Sequence, residues 1–303
     1  MINPKNDVII NHNVSANGFL RFVAVFLGYL GGFGGRMIDT HCHIIFGLDD
    51  GSDSIETTLE MAHIAVSAGI TDIIATPHCV PGSFDNYAGD DLDRAFKNIR
   101  TLVSDATDSR LNIHRGMEVY AASSTIDLLE KGLLVYMSRS NYMLVECAFD
   151  EDPGFLRDTL RSMIRRGVRP IIAHPERYYF AHDSIRPLMD MVDMGCALQL
   201  DTASITGDFG SSCRRTAIEL LDSGAVQLAA SDAHDAFSRV PDMRDAAKFV
   251  AFNYSSNYAD LLLEINPARV LENRSMLFRG QNSSGRQSPS ANRFMTDEEY
   301  WGI

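Results

Sequence analysis

Residues 169–201 read RPIIAHPERYYFAHDSIRPLMDMVDMGCALQLD, and this stretch contains one complete repeat of the fold. The run 169–173 is short, apolar and rich in branched side chains, as expected of a strand covered on both faces. His174 and Pro175 follow it, 183–194 reads as helix, Gly195 stands where a helix stops, and 197–201 opens another strand. Strand, helix and strand in succession imply parallel pairing through a right-handed crossover.

The same unit recurs on either side. Strands are predicted over 36–40, 72–76, 112–119 and 142–146, with helices over 56–67, 91–106, 125–131 and 155–166. Beyond 201, a helix is predicted over 212–223 and a strand over 226–230. The segment 242–273 reads as helical with one break at Pro267. About seven strand–helix units approach the count of a closed barrel. The predicted fold is therefore α/β, a distorted (β/α)7 TIM-like barrel in a single domain, with an open doubly wound sheet as the alternative.

The barrel is expected over 37–279. An apolar, glycine-rich run at 22–33 lies ahead of it, too short for the ~20 residues of a membrane span. Residues 1–36 read as a poorly ordered extension without stable membrane insertion. Residues 280–293 are rich in Ser, Asn, Gln and Gly, so 280–303 reads as a flexible polar tail. The formal net charge of -13 over 303 residues argues against non-specific nucleic-acid binding, which needs clustered cations. It does not exclude a phosphorylated substrate, because bound metal ions can dominate a local field. Five cysteines without a CxxC pair suit a reducing, cytoplasmic setting.

Chemistry-bearing residues follow strand after strand. The first gives Asp39-Thr40-His41-Cys42-His43, the second His78 and the third Glu118. The fourth ends in Glu146, the fifth leads to His174, and the seventh to Asp232 and His234. In parallel barrels the carboxyl ends of the strands form one face, and the active site is built there. His41 and His43, like Asp232 and His234, are two apart, so on extended backbone each pair points the same way. Imidazoles and carboxylates without a thiolate cluster favour Mn, Fe, Zn or Mg. The donors exceed the needs of one ion, so two or three are expected, with Glu146 bridging two. Such ions suit phosphate-ester hydrolysis through a metal-bound hydroxide attacking phosphorus directly. In Asp49-Asp50-Gly51, Asp50 is favoured over Asp49 as a further ligand, a simple turn being the alternative. Arg177 and Arg239 lie just past His174 and His234, where a guanidinium fork can hold phosphate oxygens; a surface ion pair is the other reading.

A cysteine-dependent phosphatase needs Arg six positions after its nucleophile. The residues there are Leu48, Asp85, Pro153, Thr202 and Glu219, so that mechanism lacks support.

Taken together, DTHCHIIFGLDDG, ATPH, GMEVY, LVECAF, IIAHPERY and SDAH resemble the bacterial PHP-class protein-tyrosine phosphatases of capsular and exopolysaccharide loci. The resemblance runs from Met37 to about Glu272. It implies a distorted seven-stranded barrel, a trinuclear site usually activated by manganese (with Co, Fe, Zn and Mg as other candidates), and a phosphotyrosyl substrate, the tail of a polysaccharide-assembly tyrosine autokinase. By that resemblance the metal ligands are His41, His43, Asp50, His78, Glu118, Glu146, His174, Asp232 and His234. Arg177 and Arg239 match phosphate-binding positions, and Asp232 is also a candidate proton donor to the leaving phenolate. Two other readings stay open: a phosphatase of a small phosphoester such as histidinol phosphate, and a non-catalytic metal-binding regulatory module. Homo-oligomerisation is also left open.

Overall fold

A computed structural model describes residues 36–279. The expected extension, apart from Arg36, and the expected tail at 280–303 lie outside the described residues. Nine strands are assigned within them: β1 Met37–Cys42, β2 Ile70–Ala75, β3 His78–Cys79, β4 Asn112–Arg115, β5 Glu118–Tyr120, β6 Tyr142–Glu146, β7 Arg169–Ala173, β8 Ala197–Asp201 and β9 Leu228–Ala230. Every laddered pair is parallel, in a three-stranded sheet β1-β2-β4 and a six-stranded sheet β3-β5-β6-β7-β8-β9.

Nine strands stand where seven are predicted because two are interrupted. The strand predicted over 72–76 starts earlier, at Ile70, and breaks at Thr76 and Pro77 before β3. The one predicted over 112–119 breaks at Gly116 and Met117. The break has a steric cause: a Cβ on Gly116 would stand 2.6 Å from Ile74 Cγ2 and 3.1 Å from the Ala75 carbonyl oxygen. Only a bare backbone crosses β2 there, and the chain leaves one sheet for the other.

At the opposite seam the ring is closed by single contacts and no assigned ladder. Cys42 and Ala233 form an isolated parallel bridge. The Asp232 amide donates to the His41 carbonyl at 2.9 Å, and the His43 amide to the Ala233 carbonyl at 2.8 Å. The result is a distorted barrel whose strands run into one rim.

The strands have near-continuous apolar sequences because both faces are covered. Inside, Ile74, Leu144, Ile171, Ala173 and Leu228 meet Val270 and Met276 in one buried cluster. Removing each large side chain of this kind from water contributes about 1.5–3 kcal/mol. Between strands lie helices such as Ile55–Ala68, Asp90–Ala106, Pro153–Ile164, Arg186–Asp193 and Gly210–Ser223. Pro153–Ile164 starts as sequence rules require: Asp152 accepts from the Gly154 and Phe155 amides, and Pro153 occupies the first turn. The C-terminal helical region departs from expectation. Its break falls at Tyr254 and Ser255, between Arg244–Asn253 and Ser256–Asp260. Pro267 instead sits in the first turn of Asn266–Leu271, behind the π-helical turn Leu261–Ile265. A proline costs no hydrogen bond in a first turn.

Candidate metal centre

The rim gathers the predicted residues. Three sets of donor atoms are close enough to share an ion, the atoms of each set lying within 4.8 Å of one another. They are His43, Asp50, His78 and His234; His41, His43, Glu118 and Asp232; and His78, Glu118 and Glu146. His43, His78 and Glu118 each belong to two sets, so the three form one continuous cluster. His174 is in none of them, yet its Nε2 lies 3.0 Å from Glu118 Oε1 and 3.8 Å from Glu146 Oε2. All nine predicted ligands are therefore brought together.

Each imidazole is aimed by what its other nitrogen touches. His41 Nδ1 is 2.9 Å from Gln199 Oε1, and His43 Nδ1 is 2.8 Å from Asp49 Oδ2. With protons on those Nδ1 atoms, both Nε2 atoms present lone pairs to the centre, where they stand 3.1 Å apart. Glu118 Oε2 is buried without a hydrogen-bond partner, although His41 Nε2 is at 3.0 Å and His43 Nε2 and His78 Nδ1 at 3.2 Å. Lone pairs and an orphaned carboxylate oxygen facing one another call for positive charge between them. Protons are one source of it. Burial works against a charged His78, but Glu118 and Glu146 beside it raise its pKa to about 9. His43 is likewise raised well above the ordinary imidazole value, against burial, by Asp232, Asp49 and Glu118. Burial would raise Glu118, but His41, His78 and His174 hold it well below the usual carboxylate range. These residues fit divalent cations: hard oxygen and imidazole donors, several carboxylates, and buried atoms otherwise unpaired.

Backbone geometry places two of the donors. His174 and Asp232, each just past a strand, adopt left-handed φ values of 34° and 49°. Such conformations are unfavourable for side-chain-bearing residues and turn the chain sharply at the rim. Gly51 is fixed by contact: a Cβ there would lie 2.4 Å from both the His43 Cβ and its carbonyl oxygen. That close approach folds Asp49 and Asp50 back over His43.

Asp232 divides its carboxylate. Oδ1 is 3.2 Å from His41 Nε2 and 3.4 Å from His43 Nε2. Oδ2 takes Arg177 Nη1 at 3.2 Å and also pairs with Arg239 Nη2. Both predicted arginines thus flank the cluster. Arg177 lies between the rings of Phe149 and Phe209, 4.6 Å from each centroid. Beside Asp50, Gly51 and His234 a cavity of about 420 Å³ opens toward Phe237.

Three supporting residues are less legible in sequence. Asp49 accepts from His43 and from the His78 amide at 2.8 Å. Beside Asp50 it is one of two identical residue types, and only the fold shows which of them turns inward. Gln199 sits mid-strand with no motif to mark it. Asp39 is fully buried and takes the Ser231 hydroxyl at 2.5 Å and its amide at 3.1 Å, tying β1 to the chain after β9.

Comparisons with known proteins agree with this geometry. Residues 37–272 match the family described as capsular polysaccharide synthesis, CpsB/CapC. Tyrosine-protein phosphatase YwqE of Bacillus subtilis is 29% identical over 245 residues, 81% of this chain and 92% of that protein. Tyrosine-protein phosphatase CpsB of Streptococcus pneumoniae is 28% identical over 240 residues, covering 78% and 98%. A crystal structure from work on YwqE and CpsB, described as unique metal-dependent tyrosine phosphatases, superposes with a TM-score of 0.73 at 28% identity, covering 80% of this chain and 97% of that one.

Proposed function

The chain belongs to the CpsB/CapC family of capsular polysaccharide synthesis, and from that premise we propose that it hydrolyses phosphotyrosine in protein, using two or three divalent ions, manganese first among them. The observation that carries the reading is the overlap of three donor sets through His43, His78 and Glu118, beside two guanidinium groups at one rim. The relatives' names support a phosphotyrosyl substrate; a tyrosine autokinase of polysaccharide assembly is the source that the sequence resemblance implies.

His41, His43, Glu118 and Asp232 would hold one ion; His43, Asp50, His78 and His234 a second; His78, Glu118, Glu146 and the adjacent His174 a third. Ions in such sites lower the pKa of water toward ~7 and neutralise phosphate charge. Arg177 and Arg239 grip the non-bridging phosphate oxygens, exchanging Asp232 Oδ2 for the substrate. Phe149 and Phe209 flank the Arg177 guanidinium and restrict its movement. Asp49 and Gln199 fix the ring orientations. Asp232 is ionised at rest because, against burial, His41, His43 and Arg239 hold it well below the usual carboxylate range, so as proton donor to the phenolate it must first take the proton from the attacking water. The oxygen of water bonds to phosphorus as the phosphorus–phenolate bond breaks, and the proton released ends on the phenolate, a fair leaving group. No cysteine is poised to compete: burial pushes Cys147 up to about 12 and Cys42 well above the ordinary thiol value.

Two assays test this. Chelation should abolish hydrolysis of a phosphotyrosyl peptide, with manganese restoring it and histidinol phosphate remaining a poor substrate. Activity indifferent to chelator, or a preference for histidinol phosphate, would overturn the reading. In heavy-oxygen water, a single turnover should place one labelled oxygen in the released phosphate; unlabelled phosphate would exclude attack of a water-derived oxygen on phosphorus.

A further inference from the structure

Away from the metal cluster, a groove of about 1100 Å³ lies between the helix Asp90–Ala106, β4 and the loop 132–140. It lies at an edge of the barrel: β4 ends the three-stranded sheet and ladders only with β2. Four cationic side chains line it, Lys97, Arg100, Arg115 and Arg139. Arg115 pairs with Asp93 at 3.1 Å. Arg100 donates its Nε to the Ile113 carbonyl at 3.1 Å. Among the described residues, Lys97, Arg100 and Arg139 have no carboxylate partner, and all three are exposed. That is unexpected in a chain carrying a net charge of -13, where acidic neighbours are in excess. Unpaired like charges around one groove repel each other and raise its potential.

The chemistry of the occupant follows. Two outward carbonyls of β4 are already satisfied, Ile113 by Arg100 and Arg115 by the Ser138 amide at 2.6 Å. Recognition there rests on cationic side chains and does not require strand addition. Arg115 precedes Glu118 by three residues on the same chain segment, at most about 11 Å of extended chain. Resting on the phosphatase reading above, we propose that this groove docks an acidic, extended segment of the phosphoprotein substrate, adding affinity outside the catalytic rim.

The test uses the full chain and the double variant Lys97→Glu/Arg139→Glu, two residues remote from the metal ligands. A fluorescein-labelled peptide alternating Glu and Gly around one unphosphorylated Tyr should bind the parent by anisotropy. The variant should bind it about tenfold more weakly, and added salt should shrink the difference. With the Tyr phosphorylated, KM should rise by a similar factor in the variant while kcat holds. A Gln-for-Glu version of the peptide should not distinguish the two proteins, nor should p-nitrophenyl phosphate. Equal affinity of both proteins for the Glu peptide would overturn the docking site, as would equal losses on p-nitrophenyl phosphate. Binding that discriminates the two proteins, without hydrolysis of the phosphopeptide by either, would leave the groove standing and sink the phosphatase reading instead.

Discussion

At the scale of single residues, the cluster depends on side chains that never touch the substrate. Asp49 accepts from His43 Nδ1 and leaves Nε2 free to face Glu118 and Asp232. Asp49→Asn can present its amide instead of an oxygen and lose the tautomer, so manganese affinity should fall by about 10–100-fold. Calorimetric titration checks this, and unchanged affinity would assign Asp49 a turn role only. Eight of the nine proposed ligands were legible because each stands at or near a strand's end or in a short HxH or DxH pattern, and position in a repeating unit is visible in sequence; Asp50, in the loop eight residues past β1, was marked only by its Asp-Asp-Gly setting. Asp49 and Gln199 were harder for a physical reason. Their value lies in where a hydrogen bond ends, and that is decided by packing between segments far apart in the chain.

Elements show what patterning captures and what it misses. The helix Pro153–Ile164 carries its start signals locally, and strands buried on both faces announce themselves by composition. The breaks after β2 and β4 arise from a close crossing of Gly116 over Ile74, which no single segment encodes. Within β2, Asp72 draws two segments together: Arg36 Nη2 lies 2.5 Å from it and His114 Nε2 of β4 2.8 Å. Burial would raise its pKa, but His114, Arg36 and Thr71 hold it below the usual carboxylate value. A depressed folded-state pKa means stability that is present above the unfolded value of about 3.9 and lost as pH falls through the folded one. Asp72→Asn should therefore cost roughly 1–3 kcal/mol at neutral pH. The gap between parent and variant should narrow below pH ~4. Urea unfolding at both pH values measures it, and a gap independent of pH would refute the ionic origin.

For the whole molecule, the ring of parallel strands concentrates acidic and imidazole groups at one rim, and burying so many charged groups together is costly unless opposite charge accompanies them. Cations that bind only the folded state should raise stability by mass action, about 2.7 kcal/mol at a hundredfold excess over Kd. Thermal unfolding with and without manganese checks this; a melting temperature unmoved by saturating metal would mean that the rim does not hold it. Barrel class was readable because the strand–helix unit repeats, and the span of the family match because its motifs are spread along the chain. How the ring closes was not, since the seam from β9 to β1 is made by isolated contacts at Asp39, Cys42 and Ala233. That seam ends on Asp232, whose two oxygens face opposite ways. An oxyanion drawing off the guanidinium groups frees one oxygen and makes the carboxylate a stronger donor on its other side. Occupancy of the anion subsite and affinity of the cation subsite are then thermodynamically linked, each strengthening the other by the same factor.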